Sequence, residues 1–310
     1  MREDKLKAGK FDVDVPLVER LVAAQFPQWA GLPVRPVEHD GWDNWTFHLG
    51  DRMKVRLPSA AGYAEQAEKE AHWLPKLARH LPLPIPAPLA LGQPGEGFPW
   101  CWSVSGWLQG DPATRERVDD PVQFGWDLAK FLTALQRIDA TGGPPPGPPN
   151  YFRGADPMQA YGAEARQSVD ALAGRIDVPA AHAVLDAAVA APFAGPPVWL
   201  HGDIAIGNLL VEHGRLGGVI DFGCCAVGDP ACDLVIAWVF LDGPGRDAFR
   251  LSVPADEAMW ARARAWALWK AALMLARDLV VNPNETPPRA VIEAVIAEHR
   301  AGVSPAPDAA

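Results

Sequence analysis

Two short segments carry side chains whose types and spacing could do chemistry. In the first, His201-Gly202-Asp203 is followed, after four intervening residues, by Asn208; in the second, Asp221-Phe222-Gly223 closes a short apolar stretch. Phosphoryl transfer needs a carboxylate that orients an attacking hydroxyl and accepts its proton, together with oxygen ligands for magnesium, which neutralises charge on the β- and γ-phosphates. Asp203 suits the first task, and Asn208 with Asp221 the second. Magnesium prefers hard oxygen donors and keeps several waters, so one carboxylate and one amide suffice when phosphates complete the shell. A packed loop histidine at position 201, and helix-capping Asp or Asn residues, are the plainer readings of the same side chains.

Such a site must be held by strands and loops. The run VWLHGDIAIGNLLVEHGRLGGVIDFG reads as strand, polar loop, strand, turn, strand. Upstream, Trp45 to Leu57 reads as a hairpin in which Met53, Val55 and Leu57 alternate with Lys54 and Arg56, so two basic side chains share one face. Helical spacing of apolar residues marks 16–26, 64–79, 121–138, 155–173 and 179–191, with Pro75 expected to kink or split the second of these. Asp229-Pro230 is a helix start, and the chain beyond it is mostly helical in composition. TGGPPPGPPN reads as a loop or linker. The Gly-Asp turn after Leu108 divides the chain into an N-terminal lobe, 1–108, and a C-terminal lobe, 109–302, with a disordered tail at 303–310.

Composition bounds the function. Of 310 residues 49% are apolar and 13 are Trp, enough to bury a sizeable core. A formal net charge of −10 without any block of Lys and Arg argues against nucleic acid as a partner. The cysteines, Cys101, Cys224, Cys225 and Cys232, have no Cys-x-x-Cys spacing and read as reduced thiols. No apolar run is long enough to cross a bilayer, and the N-terminal residues lack a signal-peptide core; the expectation is a cytoplasmic protein with no membrane partner, monomeric or homodimeric.

WLHGDIAIGNLLV and VIDFGCCAVGDPACDLV resemble the catalytic and metal-binding loops of the aminoglycoside phosphotransferase family, and EKEAHWLPKLA and SGWLQGDPA resemble its first-lobe helix and interlobe segment. The resemblance covers most of the chain. It implies an α+β, protein-kinase-like two-lobed fold, with a small β-rich N-terminal lobe and a larger, mainly helical C-terminal lobe. It implies that Asp203 is the catalytic base, that Asn208 and Asp221 bind Mg2+, and that ATP or GTP is the donor. The family register puts Arg56 at the basic position that holds the α- and β-phosphates and Glu70 at its acidic partner; Lys54, on the same face, is the alternative cation, and Glu68 the alternative partner. Asn44 and Trp42, in the loop DGWDN, are candidates to sit over the phosphates, and Ser105 and Trp107 to offer backbone groups to the nucleobase.

Two features separate the chain from protein kinases. Only about ten residues lie between Asp221 and the next helix start, too few for a phosphorylatable activation segment, and Gly202 stands where the protein-kinase loop carries Arg. The expected acceptor is therefore a hydroxyl on a small molecule: an aminoglycoside-like antibiotic, a macrolide, or a metabolite such as an amino alcohol. The residues around 150–170 and the helices after Asp256 are expected to line its pocket. Asp156, Glu164, Asp170 and Asp278 could meet an amine, with a helix cap the plainer role for Asp156 before Pro157; Trp260, Trp266 and Trp269 could line a more apolar site, though an aromatic stripe at helical spacing more often belongs to the core. The rival reading is a nucleotide-binding module without catalysis. A metal-dependent hydrolase would need a second His near the catalytic loop, which contains none.

Overall fold

Four helices start in the same way, at an aspartate whose side chain accepts a hydrogen bond from the first turn's backbone, with a proline at the first or second helical position. Asp14, Asp120, Asp156 and Asp177 are these caps. The carboxylate satisfies an N–H that the helix cannot, and proline sits where no N–H is needed. The computed structural model describes residues 2–38 and 40–303; positions 304–310 of the expected tail lie outside the described residues.

The chain divides into two units. One takes the described residues up to Gln109 with Gly218–Gly223; the other takes Gly110–Gly217 and the described residues from Cys224 on.

The first unit holds the helices α1 (Arg2–Lys7), α2 (Val15–Gln25) and α3 (Ala64–Leu77). Its sheet contains β1 (Val34–Pro36), β2 (Asn44–Leu49), β3 (Met53–Pro58), β4 (Pro88–Gly92) and β5 (Trp102–Gly106), in the order β1-β2-β3-β5-β4 with every pair antiparallel. The period of two divides β3. Val55 and Leu57 join Phe47, Trp102 and Val104 in a core closed by Leu17, Val18, Leu21 and Val22 of α2, while Lys54 and Arg56 take the other face, on the side of α3. Of the two outcomes expected at Pro75, a kink or a split, the split does not occur: α3 is continuous to Leu77. Pro75 lies in the last turn, where only one backbone donor is lost and burial of Leu74 and Leu77 holds the helix.

The second unit contains short strands and most of the helices. The strands β6 (Asp111–Pro112), β8 (Leu209–Glu212) and β9 (Arg215–Val219, whose last two residues count with the first unit) form one sheet, and β7 (Val198–Leu200) pairs with β10 (Ala226–Gly228). The helices are α4 (Pro121–Gln136), α5 (Pro157–Asp170), α6 (Val178–Val189), α7 (Ile236–Val239), α8 (Gly243–Ser252), α9 (Glu257–Ala276) and α10 (Pro288–Val303). Helix α9 packs against α5, α6, α10 and the 3-10 turn Pro230–Val235. Enclosed on so many sides, it buries Trp260, Trp266 and Trp269 in the core. These three tryptophans, expected as a candidate lining for an acceptor, are packing residues first. Among the described residues no helix is long and apolar enough to cross a membrane.

Candidate active site

The loop between β7 and β8 carries Asp203 and Asn208, and its shape is fixed from beneath. Asp233, fully enclosed, accepts hydrogen bonds from the backbone N–H of His201 at 2.8 Å and of Gly202 at 2.7 Å. Burial pushes the Asp233 carboxyl above its ordinary range, against the opposing pull of His201 and of these two N–H groups. Gly202 has φ +84°, and a Cβ there would lie 2.5 Å from the Cys224 carbonyl oxygen, so no other residue fits without strain. The Asp203 N–H donates to His201 Nδ1 at 3.2 Å, which accounts for a histidine in the loop without a chemical role.

Asn208 then orients Asp203. Its Nδ2 donates to the Asp203 carbonyl oxygen at 2.9 Å and to Asp203 Oδ2 at 3.1 Å. The bond to Oδ2 leaves Oδ1 of the carboxylate as the acceptor for another donor. With its nitrogen spent on Asp203, the amide of Asn208 has its carbonyl oxygen to offer as a hard donor.

The first unit gathers a second set of charges. Arg56 Nη1 lies 3.2 Å from both oxygens of Glu70, and Arg56 Nη2 donates to Asp221 Oδ1 at 2.9 Å. Burial works against the arginine's charge, but Glu70 and Asp221 more than offset it and raise its pKa. Asp221 adopts φ +66°, a left-handed conformation rare for a residue with a side chain and found where surrounding structure imposes it. Glu70 is buried, and Glu68 is exposed. The geometry therefore brings Arg56 and Glu70 together, and leaves Lys54 beside them with no ion pair among the described residues. Lys54 is only 9% exposed, and burial lowers its pKa to about 8.

Other candidates from the sequence are placed less centrally. Asn44 is buried, its Nδ2 3.5 Å from Gln66 Oε1. Trp42 is exposed and lies under the Lys10 ammonium, 3.9 Å from the ring centre. Ser105 is paired with Lys54 on one side and Pro88 on the other, so its backbone lies inside the sheet and not on an open edge. The Trp107 N–H donates to the Arg52 carbonyl at 2.8 Å, and its ring lies tilted against His48 with centroids 4.1 Å apart; only its carbonyl is left for a base.

Sequence reasoning missed Asp43, Gln66 and Lys69. Gln66 Nε2 lies 3.5 Å from Asp43 Oδ2, and burial, then the charge of Asp221, raises the Asp43 pKa. Lys69 Nζ donates to the Gly223 carbonyl at 2.5 Å. Gln66, Lys69 and Glu70 lie three or four residues apart or adjacent on α3, a helical spacing that could have flagged one face.

Of the four acidic residues weighed for an amine, three are already engaged. Asp156 caps α5. Glu164 accepts from Trp269 Nε1 and from Arg277 Nη2, both at 2.9 Å. Asp170 Oδ1 sits 2.7 Å from His182 Nε2. Asp278 is exposed, 3.9 Å from Arg175. Among the described residues, no group of three or more His, Cys, Asp or Glu side chains could hold a metal unaided.

The sequence matches a family model described as a phosphotransferase enzyme family over residues 34–266, more than half of the chain. No curated protein matches it by sequence. Solved structures do match. The GDP complex of wild-type aminoglycoside 2'-phosphotransferase-IIIa is 15% identical with a TM-score of 0.66, covering 94% of this chain and 99% of that one. The streptomycin-ATP-APH(2")-IIa ternary complex is 16% identical with a TM-score of 0.58, covering 93% and 96%. Macrolide 2'-phosphotransferase type I is 19% identical with a TM-score of 0.58, covering 95% and 98%. At these identities the likeness establishes the fold alone, an α+β protein-kinase-like fold with a β-rich lobe and a larger, mainly helical lobe.

Proposed function

Because this chain belongs to the phosphotransferase enzyme family, the aminoglycoside phosphotransferase family of the sequence motifs, we propose that it transfers the γ-phosphoryl group of ATP or GTP to a hydroxyl on a small molecule. The observation that carries the reading is the pairing of Asn208 with Asp203, which holds one carboxylate oxygen and leaves the other for an incoming hydroxyl. The donor proposal draws on the nucleotides named for the solved relatives, GDP and ATP.

In this mechanism Asp203 Oδ1 accepts the hydroxyl proton as the acceptor oxygen bonds to the γ-phosphorus. The bond from that phosphorus to the β,γ-bridging oxygen breaks, and the nucleoside diphosphate leaves with its electron pair. Arg56, held by Glu70, is positioned to take the α- and β-phosphates, with Lys54 as a second cation. Asn44 and Trp42 are assigned to the phosphate loop, and the backbone near Ser105 and Trp107 to the base. The lobe assignment 1–108 and 109–302 belongs to the same proposal.

The donor chemistry fits magnesium. Asp221 offers a carboxylate and Asn208 an amide oxygen, both hard ligands of the kind magnesium takes when phosphates and water complete its shell. When bound, magnesium would neutralise charge on the β- and γ-phosphates.

A coupled nucleotide-turnover assay with magnesium, screening hydroxylated acceptors against wild type and Asp203→Asn, tests the reading. We expect the variant to lose about 10²–10⁴-fold in kcat, the usual worth of a general base, while nucleotide affinity is retained. Nucleotide binding with no transfer to any acceptor would favour a non-catalytic module, and full activity in the variant would remove Asp203 from the mechanism.

A further inference from the structure

Arg153 is rooted beside the catalytic loop and has no carboxylate partner among the described residues. A Cβ on Gly202, the residue before Asp203, would lie 3.0 Å from the Arg153 Cβ, so the arginine side chain starts against the loop itself. Its guanidinium lies over Trp266, 4.9 Å from the ring centre, and over Trp269 at 5.4 Å. Its Nε is buried with no hydrogen-bond partner. Among the described residues no carboxylate pairs with it, although the same unit supplies one to Arg262 (Asp229) and one to Arg277 (Glu164).

The chain is strained to put it there. Tyr151 and Phe152, immediately upstream, both have φ +54° with bulky side chains, a conformation that persists only where surrounding structure imposes it. That structure is visible. Asn150 accepts from the Gly147 N–H at 2.8 Å and donates to the Arg153 carbonyl at 3.1 Å, and the Tyr161 hydroxyl donates to the Tyr151 carbonyl at 3.0 Å. The turn fixes the backbone of Arg153 at both ends, and Tyr161 stacks on Trp269 at 4.0 Å beneath the guanidinium.

A guanidinium held on aromatic faces, with donors unfilled, is matched by a planar or tetrahedral oxyanion, which it can bind through two parallel hydrogen bonds. The carboxylates that would attract an amine are mostly spent, as Asp156, Glu164 and Asp170 are engaged within the unit. We propose that Arg153 binds an anionic group on the acceptor, making the substrate a hydroxylated acid in place of a polyamine. The proposal rests on the phosphotransfer reading and narrows its substrate class.

The test uses the full chain with magnesium and ATP or GTP, D-glycerate and D-gluconate as acidic acceptors, choline and kanamycin as cationic ones, and the variants Arg153→Met and Arg153→Lys. Transfer to an acid is expected in wild type, with acceptor KM raised about 10- to 100-fold in Arg153→Met, the scale of a lost charged hydrogen bond. Nucleotide KM should be unchanged, and Arg153→Lys should recover part of the loss. A rise in nucleotide KM alone would assign Arg153 to the donor's γ-phosphate and overturn the proposal, as would transfer to choline or kanamycin that Arg153→Met leaves unaffected. Calorimetric titration with each acid separates this outcome from failure of the phosphotransfer reading. Acid binding that is lost in Arg153→Met supports the proposal even without turnover; absence of acid binding in wild type, or equal binding in both proteins, overturns it. Arg153→Lys keeps the test valid if the Met variant fails to fold.

Discussion

Substituting Lys54 by Met should stabilise the protein at neutral pH and remove a distinctive rise of stability with pH. Lys54 sits on β3 at 9% exposure, without an ion pair among the described residues, and burial brings its pKa down to about 8 from an ordinary 10.5. Each tenfold change in proton affinity is worth about 1.4 kcal/mol, so keeping the ammonium charged in this position costs about 3 kcal/mol. Below pH 8 the lysine is protonated in both folded and unfolded chains, and the whole cost is present. Between pH 8 and 10.5 the unfolded chain binds a proton that the folded chain does not, so stability climbs with pH. Met fills a similar volume with no charge. Urea unfolding of both proteins at intervals from pH 7 to 10 should therefore show Lys54→Met ahead by up to about 3 kcal/mol at pH 7, with the lead shrinking through pH 9 and 10. A variant less stable than wild type at pH 7, by an amount that does not change with pH, would refute the reasoning: Glu70 and Asp221 would then compensate the charge fully. The same protein decides between the two cations. If Lys54 holds phosphate, nucleotide affinity falls in Lys54→Met, and in wild type it falls above pH 8; if Arg56 acts alone, both stay level.

Asp233→Ala should destabilise the chain by about 2–5 kcal/mol, because the buried N–H groups of His201 and Gly202 lose their acceptor; urea unfolding gives the loss, and kcat should fall with it because the loop carrying Asp203 is released. Arg262→Met strands the buried Asp229, whose carboxylate now meets the guanidinium at 2.7 Å, and should cost about 3–5 kcal/mol. That loss should shrink as pH is lowered and Asp229 takes up a proton, and Arg262→Met with Asp229→Asn should recover much of it, as read by thermal unfolding at pH 5 and pH 7.

Much of the site was legible because its parts are local. Asp203 and Asn208 share one loop between two apolar strands, and the hydrogen bond that joins them spans only five residues of chain. Helix starts were legible for the same reason, since an aspartate before a proline satisfies the first turn without help from elsewhere. Alternation along β3 put Lys54 and Arg56 on one face but could not choose between them. The choice depends on where α3 places Glu70 and on a segment 165 residues beyond Arg56, which supplies Asp221. Periodicity has no access to either.

The tryptophan stripe on α9 belongs to the core, the commoner fate of such a stripe, because a helix packed on by α5, α6, α10 and the 3-10 turn Pro230–Val235 has little solvent side left for periodicity to contrast with. What was misread has the same origin. Glu164 looked available to an amine because its partners, Trp269 and Arg277, lie 105 and 113 residues away. Arg153 was overlooked for the converse reason: a charge is conspicuous only when the surroundings fail to neutralise it, and that failure is a property of the fold. A cation with no carboxylate partner among the described residues, rooted against the loop of a proposed general base, should therefore be weighed more heavily than acidic residues counted along the chain. On that basis the acceptor panel for this protein should begin with hydroxylated acids.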